Sequence, residues 1–101
     1  MTNRTDFLVI GSGIAGLTFA VKTAERFPDR KVTIITKADE DESNTKYAQG
    51  GVAAVWNFND DSFDKHVADT LDAGDGLCNI EVVEAVVKEG PQRIREIIEW
   101  G

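Results

Sequence analysis

Apolar and polar positions alternate along this chain in several distinct rhythms, and each rhythm predicts an element. Phe7-Leu8-Val9-Ile10 is an unbroken apolar run with β-branched content, closed by a glycine cluster, which predicts a strand covered on both faces. From Ile14 the positions Ile14, Leu17, Thr18, Val21 and Ala24 recur at helical spacing, with small Ala15, Gly16 and Ala20 allowing close approach to a sheet. That helix should end near Phe27, before Pro28-Asp29. Val32-Thr33-Ile34-Ile35-Thr36 is again apolar and β-branched, and a helix between two such runs suits a right-handed crossover. Residues 6–36 therefore read as a βαβ unit.

Residues 37–51 mix charges, Ser43, Asn44, Thr45 and paired glycines, a loop too long to be a mere connector. Val52 to Trp56 reads as a short strand and Asn57 to Asp61 as a polar turn. Ser62 then has the chemistry of an N-cap for a helix to about Ala73, with Asp64 near its positive end and Gly74-Asp75-Gly76 as its stop. Asn79 should cap a further helix carrying Val82, Val83, Val86 and Val87 and stopping at Gly90. Pro91 suits the first turn of a separate last helix with Ile94, Ile97 and Ile98 on its stripe. That apolar pattern simply stops at Trp100-Gly101, so we expect a truncated part of a larger domain.

Composition narrows the function classes. With 101 residues, 42% hydrophobic and 29% charged, the chain is one domain or part of one. Its 11 basic residues against 18 acidic ones give a net charge of −7, which repels a polyanion, so a nucleic-acid reader is not expected. No apolar run approaches the roughly 20 residues of a membrane span, and none has the form of a signal sequence, so a cytoplasmic location is expected. Cys78 and His66 are single, which argues against a disulfide framework and structural zinc. We read His66 as a packing or surface residue, Cys78 as an inert buried thiol, and Trp56, Phe58 and Phe63 as core or domain contacts. The acidic group at residues 39–42 reads as a solvated loop face and is assigned no metal.

The motif with chemical content is Gly11-Ser12-Gly13-Ile14-Ala15-Gly16, which matches G-x-G-x-x-G directly after a predicted strand and at the start of a predicted helix. Gly11 permits a tight turn, Gly13 leaves no side chain between backbone and a pyrophosphate, and Gly16 lets the helix pack closely on the strand. N–H groups at the helix start would face the phosphates, with the positive end of the dipole behind them. An NAD-binding unit would carry Asp or Glu at the tip of the second strand, where this chain has Thr36-Lys37. Hydroxyl and ammonium donate to a ribose or phosphate but do not make the carboxylate contact, which disfavours a plain NAD enzyme. Farther on, Ser43 to Gly51 packs hydroxyls, amides, one cation and two glycines into nine residues. Backbone amides beside small side chains suit the polar edge of a flavin ring, and the same composition suits a flexible surface loop.

Taken together, Phe7 to Gly16 (FLVIGSGIAG), Thr36-Lys37, Thr45 to Val55 (TKYAQGGVAAV) and His66 to Gly76 (HVADTLDAGDG) resemble the N-terminal region of the L-aspartate oxidase family. This is a branch of the wider flavoprotein family of succinate dehydrogenase and fumarate reductase, whose signature includes the AQGG element. The resemblance covers nearly the entire chain. It implies an α/β fold: a Rossmann-like FAD-binding βαβ unit followed by helices, with residues 1–101 the N-terminal part of an FAD-binding domain and the capping and C-terminal helical domains lying beyond. It also implies oxidation of L-aspartate to iminoaspartate, with O₂ or fumarate as electron acceptor, and onward use of the product by quinolinate synthase in NAD biosynthesis. Carried over position by position, the FAD contacts fall on Ser12, Gly13, Ile14 and Ala15 at the pyrophosphate turn, to which the glycine fingerprint adds Gly11 and Gly16, and on Lys37 at the adenosine side. Around the flavin they fall on Asn44, Thr45, Lys46, Tyr47, Ala48, Gln49, Gly50 and Gly51. Membrane-associated relatives carry, in a Ser-His-Thr stretch, a histidine bonded to the flavin; this chain has Ser43-Asn44-Thr45, which implies non-covalent FAD. Lys46 departs from the apolar or aromatic residue common before the tyrosine. The groups that clamp a dicarboxylate would lie past Gly101, so no catalytic residue is assigned.

Overall fold

The computed structural model describes residues 2–37, 44–47 and 50–101, with the backbone alone for Asn44 and Thr45. The chain divides into two compact units, residues 1–50 and 51–101, each described by itself.

In the first unit β1 (Phe7–Ile10), α1 (Ile14–Arg26) and β2 (Val32–Ile35) form the expected βαβ unit. The strands pair in parallel, with Phe7 opposite Val32, Val9 opposite Ile34 and Ile10 opposite Ile35. A two-residue side-chain period then puts Phe7, Val9, Val32 and Ile34 on one face and Leu8, Ile10, Thr33 and Ile35 on the other. Only the first face meets α1. Val9 is 7% exposed, whereas Ile10 is 83% exposed, so the expectation of strands covered on both faces is corrected: among the described residues one face has a cover.

The packed side of α1 also differs from the expected apolar stripe. Its buried residues are Ala20 and Thr23, and a Cβ built on Gly16 would lie 3.2 Å from Val9 Cγ1. Ile14, Leu17 and Val21 stay exposed. Small residues at positions 16, 20 and 23 share one helical face, and their size brings the helix axis close to the sheet; larger side chains there would hold it away. At the far end of the unit Phe7 stacks on Phe27 with centroids 5.7 Å apart, and Asp6 accepts a 2.8 Å hydrogen bond from the Lys31 N–H. The short helix α2 (Asn44–Tyr47) interrupts the segment read as loop.

The second unit opens with extended chain rather than a strand. Val52 to Trp56 has no ladder partner among the described residues, and a strand exists only by pairing. Of its apolar residues Val55 is fully buried, whereas Val52 and Trp56 are exposed. Next comes α3 (Phe63–Ala73), capped as expected: Ser62 Oγ accepts from the Lys65 N–H at 3.1 Å, and Asp64 lies in the first turn. Ser62→Ala should therefore cost about 1 kcal/mol, read as a lowered denaturant midpoint with unchanged slope.

The largest departure is α4 (Ile80–Trp100), one helix of 21 residues where two were expected. Asn79 caps it through Oδ1, which accepts from the Val82 N–H at 3.2 Å. The helix runs through Gly90-Pro91 for two reasons. The residue before a proline is normally pushed out of helical geometry by a clash involving its Cβ, and glycine has none. Val83, Val87, Pro91 and Ile94 also fall at spacings that keep a single stripe in phase, and Val87 and Pro91 are both buried. The open side of Gly90 faces Ala54, whose Cβ would lie 3.7 Å from a Cβ built on the glycine. Trp56 and Phe58, expected in core or domain contacts, are each 55% exposed; Arg95 lies over the Trp56 ring at 5.4 Å and Phe58 meets Phe63 edge-on at 5.2 Å.

Candidate functional site

The site grows out of the end of β1. Gly11 extends the parallel pairing by one bond, its N–H donating to the Ile35 carbonyl at 2.8 Å, and then turns the chain at φ +112°, a conformation that disfavours any side chain. Ser12 follows with its side chain pointing inward: it is 4% exposed, and its Oγ donates to Thr36 Oγ1 at 3.1 Å. Gly13 is the N-cap of α1, in extended geometry at φ −74°, ψ 178°.

The electrostatics of this helix end set it apart from the other two long helices. α3 and α4 each have a side-chain cap and an acidic residue in the first turn. Neither is present at α1. The first helical hydrogen bond there runs from the Leu17 N–H to the Gly13 carbonyl, so the N–H groups of Ala15 and Gly16 have no acceptor within the helix. An anion with several oxygens matches that arrangement in charge and donor geometry. Gly16 completes the motif, since a Cβ at this position would collide with the Gly11 carbonyl oxygen. Gly11, Ser12, Gly13 and Gly16 thus form a tight turn that leads closely into the start of α1.

Other predicted site residues lie apart from the turn in sequence. Thr36 and Lys37 follow β2 directly, with Lys37 exposed. Lys46 and Tyr47 are exposed on α2, and the Lys46 ammonium lies 5.9 Å from the center of the Tyr47 ring. Gly50 has φ +90°, which favours glycine, and a Cβ at Gly50 or Gly51 would meet nothing within 4 Å. The acidic group at 39–42, Ser43, Ala48 and Gln49 lie outside the described residues, as do the side chains of Asn44 and Thr45. What residue reading alone missed is the inward turn of Ser12 onto Thr36. Paired hydroxyls at the first x of the motif and at the tip of the second strand were its signal.

In the second unit His66 is half-buried and lines an open cleft of about 240 Å³ with Asp61, Asp69 and residues 52–54. Cys78 is half-buried rather than buried, with its Sγ 3.7 Å from the Thr70 carbonyl, and is a free thiol. Among the described residues there is no cluster able to hold a metal ion, and no helix is long and apolar enough to cross a membrane.

Turn, uncapped helix and parallel strands define a nucleotide-binding βαβ unit of the Rossmann-like class. The chain belongs to the FAD binding domain family, which matches residues 6–101, and its cofactor is FAD. It is 52% identical over 100 residues to L-aspartate oxidase 2-a, chloroplastic, of Nicotiana tabacum, a match covering 99% of this chain and 15% of the relative. It is 45% identical to L-aspartate oxidase of Mycobacterium leprae, over 98% of this chain and 19% of that one. A fumarate reductase flavoprotein subunit of Mycobacterium tuberculosis is 43% identical, over 100% of this chain and 17% of the relative. Among solved structures, a mutant E. coli quinol fumarate reductase superposes with a TM-score of 0.85 at 37% identity, covering 100% of this chain and 17% of that one. The chain therefore spans less than a fifth of the length of the relatives it matches.

Proposed function

We propose that this chain is the N-terminal, FAD-holding part of an L-aspartate oxidase that binds its flavin without a covalent bond. The observation that carries the reading is the 52% identity to a named L-aspartate oxidase across 99% of the chain. The turn at Gly11–Gly16 holds the pyrophosphate through backbone N–H groups, Lys37 serves the adenosine side, and residues 44–51 serve the flavin ring. Asn44 stands where covalent relatives carry histidine, and an amide has no nucleophilic nitrogen with which to form that bond. When bound, FAD supplies the acceptor for hydride from the α-carbon of L-aspartate, giving iminoaspartate, with O₂ or fumarate taking the electrons onward. The remainder of the FAD domain, the dicarboxylate clamp and the other domains belong to the longer protein. Its place is the cytoplasm, and its product passes to quinolinate synthase for NAD biosynthesis.

A fumarate reductase or succinate dehydrogenase flavoprotein is the second reading, favoured by the 43% identity to the mycobacterial subunit. Acid precipitation of the intact protein followed by substrate oxidation assays separates the two. The expected result is yellow supernatant, and hydrogen peroxide formed with L-aspartate under air. Flavin in the pellet together with succinate oxidation would establish the second reading, and a protein that holds nucleotide but turns over neither substrate would be a binding module.

A further inference from the structure

We propose that Ser12 and Thr36 form a positioning pair that holds the phosphate-gripping turn at the end of β2, and so sets FAD affinity without either hydroxyl touching the cofactor. The inference rests on the flavin reading above and goes beyond it, because it gives both side chains a role other than direct contact.

A glycine-rich turn is the least constrained kind of backbone, and Gly11 and Gly13 flank Ser12 directly. N–H groups that are to meet phosphate oxygens must nevertheless stay in place when no anion is present, since ordering them on binding would weaken the complex. Two bonds supply that order. The Gly11 N–H reaches the Ile35 carbonyl at 2.8 Å, and one residue further along both segments Ser12 Oγ reaches Thr36 Oγ1 at 3.1 Å. The second bond extends the pairing of β1 with β2 past the last residues that the backbone ladder joins.

Burial decides which group of Ser12 faces which way. At 4% exposure its hydroxyl is directed inward, and without Thr36 it would be a buried polar group lacking this partner, which is costly. What Ser12 offers a phosphate is therefore its main chain. Thr36 is half-buried and directly precedes Lys37, so the same bond fixes where the chain leaves β2 toward the adenosine side. One hydrogen bond thus ties both contacts to the ADP half of the dinucleotide.

The test compares Ser12→Ala, Thr36→Val, the double variant and Thr36→Ser, the conservative rescue, in the intact flavoprotein by FAD titration of the apoprotein. Each single variant should weaken FAD by about tenfold, the size expected of one hydrogen bond. The double variant should be no weaker than the worse single one, and Thr36→Ser should stay near wild type. Independent losses that multiply, or an unchanged FAD affinity in both single variants, would overturn the pair. Should Thr36→Val fail to fold, Ser12→Ala and Thr36→Ser decide: about tenfold weaker FAD in the first with near wild-type affinity in the second supports the proposal, and wild-type affinity in the first overturns it. A wild-type protein that binds no FAD removes the flavin reading itself, a result distinct from variants that bind like wild type.

Discussion

Gly13→Asp is expected to abolish FAD retention while leaving the fold as stable as before or slightly more so. The residue sits at φ −74°, ψ 178°, extended backbone that any amino acid adopts. Nothing in that geometry demands glycine. Aspartate is among the preferred N-cap residues and exceeds glycine there by a few tenths of a kcal/mol. Its charge would also complement the positive end of α1, a helix with no side-chain cap and no acidic residue in its first turn, by about 0.3–1 kcal/mol.

Function takes the opposite sign for the same reasons. The carboxylate would accept the N–H groups that the pyrophosphate needs and place a negative charge where another must come. Two unit charges about 4 Å apart repel by roughly 4 kcal/mol at an effective dielectric of 20, which corresponds to affinity lowered about 700-fold. Titrating the apoprotein with FAD and melting it in parallel reads both signs. Wild-type FAD affinity in this variant would mean that the phosphates do not lie at this helix end.

The βαβ unit and the caps were legible in the sequence because they are local. A run such as Phe7–Ile10 followed by Gly11-Ser12-Gly13 carries its strand, turn and helix start within one decade of residues, and Ser62 and Asn79 bond N–H groups three positions on. What escaped depends on neighbours remote in sequence or absent from it. Val52 to Trp56 has strand-like composition, yet composition supplies no partner strand. The exposed face holding Leu8 and Ile10 has the apolar pattern of a two-sided parallel strand while only α1 covers the sheet among the described residues. Gly90-Pro91 looks like punctuation, and only the continuous phase of Val83, Val87, Pro91 and Ile94 shows that α4 passes through it. At the candidate site, backbone roles were readable from glycine spacing, but the direction of the Ser12 side chain required the register that sets Ile35, and hence Thr36, beside the turn.

Gly16→Val should lower stability and FAD affinity together, which distinguishes it from the change at Gly13. Here glycine is required by space rather than by backbone angle. In an open helix, replacing glycine would gain up to about 1 kcal/mol of propensity. At this position the new Cβ would collide with the carbonyl oxygen of Gly11 and lie 3.2 Å from Val9 Cγ1. The Gly11 carbonyl has little room to yield, because the N–H of the same residue is held by Ile35 at 2.8 Å. α1 must therefore lift from the sheet and carry its N-terminal N–H groups with it. Overpacking of this kind typically costs 1–3 kcal/mol, and valine, with two further methyl groups, should reach about 3 kcal/mol, with alanine nearer to 1. Denaturant melts of the apoprotein should show that order, and FAD affinity should fall in the same sequence, glycine above alanine above valine. Unchanged stability in both variants would show that the spacing between α1 and β1 does not depend on a missing side chain at this position, and with it would go the packing argument for the third glycine of the motif.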